Sequence, residues 1–248
     1  MTDDGGDFLS ATHIFKSFGG IKALTDVSFK LKKGERVGLI GPNGSGKTTL
    51  LNIISGVFKP DSGRVVFEQT DITTRPAHAR TEMGIARTFQ VPRPFQTLSL
   101  LDNVKIAVMY GSRDHKKTKS GSSRASDTAK NLLKRLGLEP KEQTLPKELT
   151  QIDMRKMELA RALAVGPKLL LLDEVMAGLT SDEVDEVLKI LLSIHEEGIT
   201  IVMVEHIMRA IMNFCERIVV LSEGRQIASG TTNEIANDRE VIRVYLGE

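Results

Sequence analysis

One cysteine, Cys215, occurs in 248 residues, which excludes an intrachain disulfide and any cysteine-cluster metal site. Charge of a single sign is also missing: 34 Lys and Arg against 32 Asp and Glu leave a formal net charge of +2. That balance gives no electrostatic footprint for nucleic acid, so no nucleic-acid partner is expected. No apolar run approaches the roughly 18 residues that a membrane-spanning helix needs. Residues 1–7 are acidic and glycine-rich, without the basic and apolar regions of a secretory signal. No internal repeat is visible. Any work at a membrane is therefore expected from the aqueous side.

What is present is an ordinary globular composition, 40% hydrophobic and 27% charged, with ample material for a core. Residues 37–40 are a short apolar run that reads as a buried strand, followed at once by a glycine-rich turn. Apolar positions recur at helical spacing over 47–55, and Gly56 closes the segment. Residues 60–63 read as a turn ahead of a strand at 64–67. A short helix is predicted over 76–83 and a strand over 84–90, before a bend at Pro92 and Pro94. Helical segments follow at 101–110 and 128–136; between them 112–127, rich in Ser, Gly, Lys and Arg, reads as a solvated loop. Further helices are expected at 150–165 and 181–196, and buried strands at 168–172, 199–204 and 218–221. Strands alternating with helices argue for an α/β layered core with parallel pairing. The helical stretch 98–164 interrupts that alternation and reads as an insertion between core segments 1–97 and 165–248 of a single domain.

The run Gly41-Pro42-Asn43-Gly44-Ser45-Gly46-Lys47-Thr48-Thr49 has the spacing of a phosphate-binding loop between a strand and a helix. Its glycines let backbone N–H groups turn onto phosphate oxygens, and the following helix presents its positive end to the same anion. Lys47 adds a full charge at the β- and γ-phosphates, and the Thr48 hydroxyl is a ligand for Mg²⁺. A second motif is the leucine run 169–172 ending in Asp173 and Glu174, an acidic pair at a strand end, where open α/β sheets bind ligands. Asp173 is expected to hold Mg²⁺ through its water shell, and Glu174 to orient or deprotonate an attacking water. His206 follows the strand at 199–204; by itself it reads as a hydrogen-bonded structural residue.

Taken in order, Phe18, the phosphate loop, Gln90, the run Leu149-Thr150-Gln151-Ile152-Asp153 before Arg155, Asp173-Glu174, Ala177-Gly178-Leu179 and His206 resemble the ABC ATPases over essentially the whole chain. Within that family, Gly84-Ile85-Ala86-Arg87-Thr88-Phe89-Gln90 and the ending Val241-Ile242-Arg243-Val244-Tyr245-Leu246-Gly247-Glu248 are similar to the branch that holds branched-chain amino acid uptake ATPases and relatives for urea or short amides. Lipopolysaccharide-export ATPases are close kin. The resemblance implies a P-loop, RecA-like core with an antiparallel β subdomain and an inserted helical subdomain. It also implies ATP and Mg²⁺ as ligands, Phe18 stacked on adenine, Gln90 touching Mg²⁺ and the attacking water, and His206 at the γ-phosphate. Residues 177–180 would face a second ATPase subunit, in a head-to-tail pair closed over two ATP molecules. A groove beside Gln90 would receive a short helix of an integral membrane permease. The implied location is the cytoplasmic face of the membrane, with a solute-binding protein as an indirect partner.

One segment departs from the family. Where it has L-S-G-G-Q, this chain has Leu149-Thr150-Gln151-Ile152-Asp153, without either glycine. Ile152 is expected to narrow the backbone's approach to the nucleotide on the other subunit, and Asp153 to set a negative charge near an anion. Thr150 with Asp153 also forms the pattern of a capping box at a helix start. Two readings stay open: the branch tolerates the change, or the chain pairs with a paralogue whose signature is intact. An exporter-type homodimer and a soluble non-transport ABC ATPase are the competing functions. The resemblance implies that the transported substrate touches no residue of such a subunit in an importer.

Overall fold

The computed structural model describes residues 6–111 and 121–246. Strands β1 (Leu9–Phe18), β2 (Ile21–Leu31), β3 (Arg36–Ile40), β4 (Ser62–Phe67), β5 (Thr70–Asp71), β6 (Ile85–Arg87), β7 (Leu169–Asp173), β8 (Thr200–Val204), β9 (Arg217–Ser222) and β10 (Arg225–Thr231) form two sheets. An antiparallel sheet has the order β2-β1-β4-β5. A larger one has the order β10-β9-β3-β8-β7-β6, parallel except for its edge strand β10. The helices are α1 (Lys47–Ile54), α2 (Ala77–Glu82), α3 (Leu100–Gly111), α4 (Gly121–Arg135), α5 (Gln151–Leu163), α6 (Ser181–His195), α7 (Met208–Phe214), α8 (Thr232–Ala236) and α9 (Arg239–Leu246).

The continuous apolar runs of the parallel strands follow from burial on both faces. In β7, Leu170 and Leu172 join a core shared with α3 to α7, while Leu169 and Leu171 join one built on α1 and the antiparallel sheet. The same alternation splits Ile201 and Met203 from Val202 and Val204 in β8. Each such buried side chain contributes roughly 1.5–3 kcal/mol of apolar transfer. Gly38 in β3 is there for space, since a Cβ would lie 3.1 Å from Ile211 and 3.3 Å from Cys215.

Two expectations need correction. The segment 84–90 is a strand only over Ile85–Arg87; beyond it the Thr88 N–H still donates to the Leu171 carbonyl at 3.0 Å, but the Asp173 N–H is taken by the Thr88 hydroxyl at 3.2 Å. Residues 121–127 are not loop but the first turns of α4. Ala125, Ala129 and Leu133 recur every fourth place and are buried, so a polar composition hid an amphipathic helix. The rest of that predicted loop, 112–120, lies outside the described residues, as do Gly247 and Glu248 of the C-terminal ending. The strands β1, β2 and β10 were not legible in the periodicity. In β1 and β2 the register shifts repeatedly, and His13 and Asp26 take φ of 51° and 55° with their side chains 2.8 Å apart. Such bulges break the period-two pattern on which strand reading depends.

Candidate functional site

The strand β3 delivers the phosphate loop, and α1 leaves it. Gly41, Gly44 and Gly46 have φ of 150°, 79° and 103°. A Cβ on Gly41 would collide with the Leu221 carbonyl and come within 2.7 Å of Ser45 Oγ; one on Gly46 would lie 2.6 Å from Leu24. The loop is therefore clamped between β2 and β9, and its backbone shape is available to glycine alone. Pro42, Asn43 and Thr49 are at most partly covered, and Thr48 is exposed, while Ser45 is buried with its hydroxyl unpartnered. Lys47 is buried; its Nζ donates to the carbonyls of Gly41 at 2.8 Å and Pro42 at 2.9 Å. Burial lowers the Lys47 pKa, and Glu174 and Asp173 oppose that shift.

At the end of β7, Asp173 is buried. Its Oδ2 accepts from Arg87 Nη2 at 2.7 Å, while Oδ1 is buried without a partner. Arg87 also donates to Asn52 Oδ1 at 2.6 Å, tying the acid to α1. Glu174 takes φ of 50°, a left-handed conformation uncommon outside glycine that costs on the order of 1 kcal/mol and is held here by its N–H bond to the Val204 carbonyl at 2.9 Å. Glu174 Oε2 accepts from Gln90 Nε2 at 2.6 Å, and Oε1 lies 2.9 Å from His206 Nε2. Three residues from distant parts of the sequence therefore meet at one carboxylate. Phe18 stands at the end of β1 and is 42% exposed, with its ring edge-on to Phe58 at 5.2 Å. The Lys16 ammonium lies over the same ring, 5.4 Å from its centroid.

The Leu149–Asp153 run corrects the sequence reading in direction. The capping box forms: Thr150 Oγ1 accepts the Asp153 N–H, and Asp153 Oδ2 accepts the Thr150 N–H at 3.1 Å. The Asp153 carboxylate is buried and also bound by Lys141 Nζ at 2.6 Å. Burial alone would raise its pKa, but the bonds from Lys141 and Thr150 prevail and the net shift is downward. Its charge is neutralised inside the helical subdomain, not presented to an anion. Ile152 is buried in the core shared by α3 to α7. The side chain left exposed at the start of α5 is Gln151.

Arg155, which follows the Leu149–Asp153 run, and Glu205, which no motif marked, complete the site. Arg155 Nη1 donates to the Gln90 carbonyl at 2.6 Å and Nη2 to the Ala177 carbonyl at 3.2 Å. Glu205, before His206, is 2% exposed and accepts the Met176 N–H at 2.8 Å. Burial, with a smaller push from Glu174, raises Glu205 to about 7, against the N–H groups of Met176 and His206 and the charge of Arg155. A buried acid next to a polar histidine was the signal available in the sequence. Because its folded pKa lies above the ordinary 4.5, its contribution to stability is complete below about pH 4.5 and is lost as pH rises through about 7. Glu205→Gln is therefore expected to raise the melting temperature relative to the parent at pH 8 and to lose that advantage at pH 5. Equal melting differences at both pH values would contradict a buried titrating acid.

A groove of about 220 Å³ lies beside this cluster, lined by Val57, Arg87, Phe89, Ala107, Glu158 and Arg161 among others. Phe89, Val91 and Phe95 are exposed along the segment that leads to it. Among the described residues no helix is long and apolar enough to cross a membrane.

Comparison with known proteins agrees with this geometry. Residues 24–177 match the model of the ABC transporter family, and residues 225–248 match that of the branched-chain amino acid ATP-binding cassette transporter. The high-affinity branched-chain amino acid transport ATP-binding protein LivG of Salmonella typhimurium is 34% identical over 97% of this chain and 98% of its own. The lipopolysaccharide export system ATP-binding protein LptB of Escherichia coli K12 is 35% identical over 97% of each. Among solved structures, a nucleotide-free ATP-binding cassette from an ABC transporter superposes with a TM-score of 0.89 at 32% identity, over 98% of this chain and all 100% of that one. The ADP conformation of such a cassette gives 0.86 at 32% identity, over 98% and 99%. A dimeric cassette in a post-hydrolysis state with ADP and phosphate gives 0.81 at 28%, over 90% and 98%. With a full-length match in sequence and fold around the same phosphate loop, this chain belongs to the ATP-hydrolysing, ATP-binding subunits of ABC transporters.

Proposed function

We propose that the chain drives an importer for branched-chain amino acids or related small polar solutes such as urea and short amides. The observation that carries the reading is the match of the C-terminal 225–248 to the branched-chain amino acid family, on a chain whose Lys47, Asp173, Glu174 and His206 are all in place. LptB is as similar as LivG, so lipopolysaccharide-type export is the competing reading.

In the proposed mechanism, ATP enters with its base on Phe18 and its phosphates in the loop 41–49, where Lys47 exchanges two backbone carbonyls for phosphate oxygens. The unpartnered Oδ1 of Asp173 is a buried lone pair of the kind a hydrated divalent cation satisfies, so the site fits Mg²⁺. Asp173, Thr48 and Gln90 would hold the ion, which when bound supplies positive charge at the β- and γ-phosphates. Glu174 takes the proton of the attacking water, Gln90 orients that water, and His206 donates to the γ-phosphate. The helices of 98–164 form the subdomain that reads the state of Gln90, and the groove beside Phe89 receives a cytoplasmic helix of the permease. This places the chain peripherally on the cytoplasmic face of the membrane.

Loss of both glycines from the 149–153 run, beside intact catalytic groups, supports an asymmetric pair. This chain's phosphate loop would complete one competent site with a second ATPase subunit whose signature is intact. Mild solubilisation and capture of the tagged chain tests both points. Two permease subunits, a second ATPase with an L-S-G-G-Q-like run and a solute-binding protein are expected. A homodimer with exporter-type membrane subunits would overturn the importer reading and the asymmetry together.

A further inference from the structure

Gln151 stands where the family has its first signature glycine, yet its side chain is already engaged within this chain. Its Nε2 donates to the Ala177 carbonyl at 2.9 Å. Beside it Gly178 has φ of 80°, and a Cβ there would overlap the Gln151 amide nitrogen. One turn along α5, Arg155 donates to the same Ala177 carbonyl at 3.2 Å and to the Gln90 carbonyl at 2.6 Å. From the other side Glu205 takes the Met176 N–H at 2.8 Å. The loop 174–179 begins at Glu174, whose carboxylate is itself bonded to the Gln90 side chain at 2.6 Å. These bonds close a ring: α5 to Ala177, through the loop to Glu174, across to Gln90 and back to Arg155.

We propose that Gln151 is a positioning residue, an intrachain tether that with Arg155 fastens α5 to the loop 174–179 and so sets where Glu174 stands. The tether explains what the departure from glycine does for this chain: it exchanges a bare helix start for a side-chain link between the helical subdomain and the catalytic loop. Arg155 alone leaves that link weaker, because its fork is divided between two carbonyls 87 residues apart in sequence, those of Gln90 and Ala177. Gln151 adds a second donor to one of them. The consequence for catalysis rests on the reading of Glu174 as the water-activating carboxylate.

The test uses the full-length chain and hydrogen–deuterium exchange at the amides of 177–179. A hydrogen bond of net strength near 1 kcal/mol corresponds to about a fivefold change in opening. Gln151→Ala and the isosteric non-donor Gln151→Glu are each expected to speed exchange there about fivefold. Gln151→Lys, which restores a donor of sufficient reach, stays near the parent rate. The melting temperature falls by no more than about 2–4 °C in Gln151→Ala and Gln151→Glu, the shift that about 1 kcal/mol produces in a chain of this length. In phosphate-release assays Gln151→Ala lowers kcat by about the same factor and leaves KM for ATP unchanged, the split expected of a group that acts through Glu174. Gly178→Ala by itself opens the loop, and adding Gln151→Ala to it changes exchange little, since the contact is already gone. Parent-like exchange in Gln151→Ala, or exchange in Gln151→Lys as fast as in Gln151→Ala, overturns the tether. Exchange is read without turnover, so it decides the tether separately from the role of Glu174, which normal turnover in Glu174→Gln would remove.

Discussion

Glu174→Gln is expected to cut ATP turnover by two orders of magnitude or more while ATP still binds. A positioned general base contributes about 10²- to 10⁴-fold, and an amide cannot take the proton. The substitution keeps the size of the side chain, so the geometry around it survives: the backbone at φ of 50° and the N–H bond to the Val204 carbonyl do not involve the carboxylate. What it changes is the match with its neighbours. Gln90 Nε2 donates to one oxygen and His206 Nε2 stands at the other, so an amide keeps an oxygen for only one of the two and turns its N–H₂ towards Gln90 or His206. Binding should hold or tighten, since a negative charge facing Lys47 and the incoming phosphates is removed. Phosphate release under steady state, together with equilibrium binding of ATP, separates the two effects. Near-normal turnover would take Glu174 out of the chemistry and shift attention to His206.

The phosphate loop, the acidic pair and the capping box at Thr150 were legible because each is a local pattern whose physics acts over a few residues. Glycine at 41, 44 and 46 is required by backbone shape, and the box by a hydroxyl and a carboxylate three residues apart. The inward turn of Ile152 and Asp153 was not legible from glycine loss alone, although the capping box already implied it: an Asp that reaches back to the N-cap cannot also face outwards. Long-range partners lay beyond sequence reasoning altogether. Arg87 meets Asp173 across 86 positions, and Arg155 meets Gln90 across 65. Nothing in their local spacing announces a partner, because the first is supplied by the parallel pairing of β6 with β7 and the second by α5 meeting the segment after β6.

Arg80 is the strongest case of such a hidden residue, and its replacement is expected to cost the most stability. It is 0% exposed, the largest of the fully buried side chains, in a helix of only six residues. Its guanidinium donates to the carbonyls of Ile53 at 2.6 Å, Ile54 at 2.9 Å, Thr73 at 3.1 Å and Arg75 at 2.9 Å. Ile53 and Ile54 end α1, so a cation sits on the negative end of the helix whose other end cradles phosphate. Burial pushes the Arg80 pKa down to about 10, with Asp71 opposing, and the group stays charged at neutral pH. Two effects compete in Arg80→Met. Removing a buried charge relieves its desolvation, but the carbonyls lose their donor at roughly 1–3 kcal/mol for each buried acceptor left unpaired. The Ile53 carbonyl keeps another bond, from the Gly56 N–H at 3.2 Å, whereas those of Ile54, Thr73 and Arg75 depend more heavily on Arg80. The orphaned acceptors outweigh the relief, and a net loss of about 3 kcal/mol is expected in denaturant unfolding, or roughly 6–12 °C in melting temperature for a chain of this length. Gly56 belongs to the same device, since a Cβ there would lie 2.7 Å from Arg80 Nε. Arg80→Lys keeps the charge without the fork and should fall between the parent and Arg80→Met. The loss should also reach the nucleotide: a loosened end of α1 frees the helix that carries Lys47 and Thr48, so KM for ATP rises in Arg80→Met while an equally destabilising cavity elsewhere, such as Leu191→Ala in α6, leaves it unchanged. An Arg80→Met chain as stable as the parent, or one destabilised with no change in KM, would show that Arg80 does not hold α1 in place for nucleotide binding.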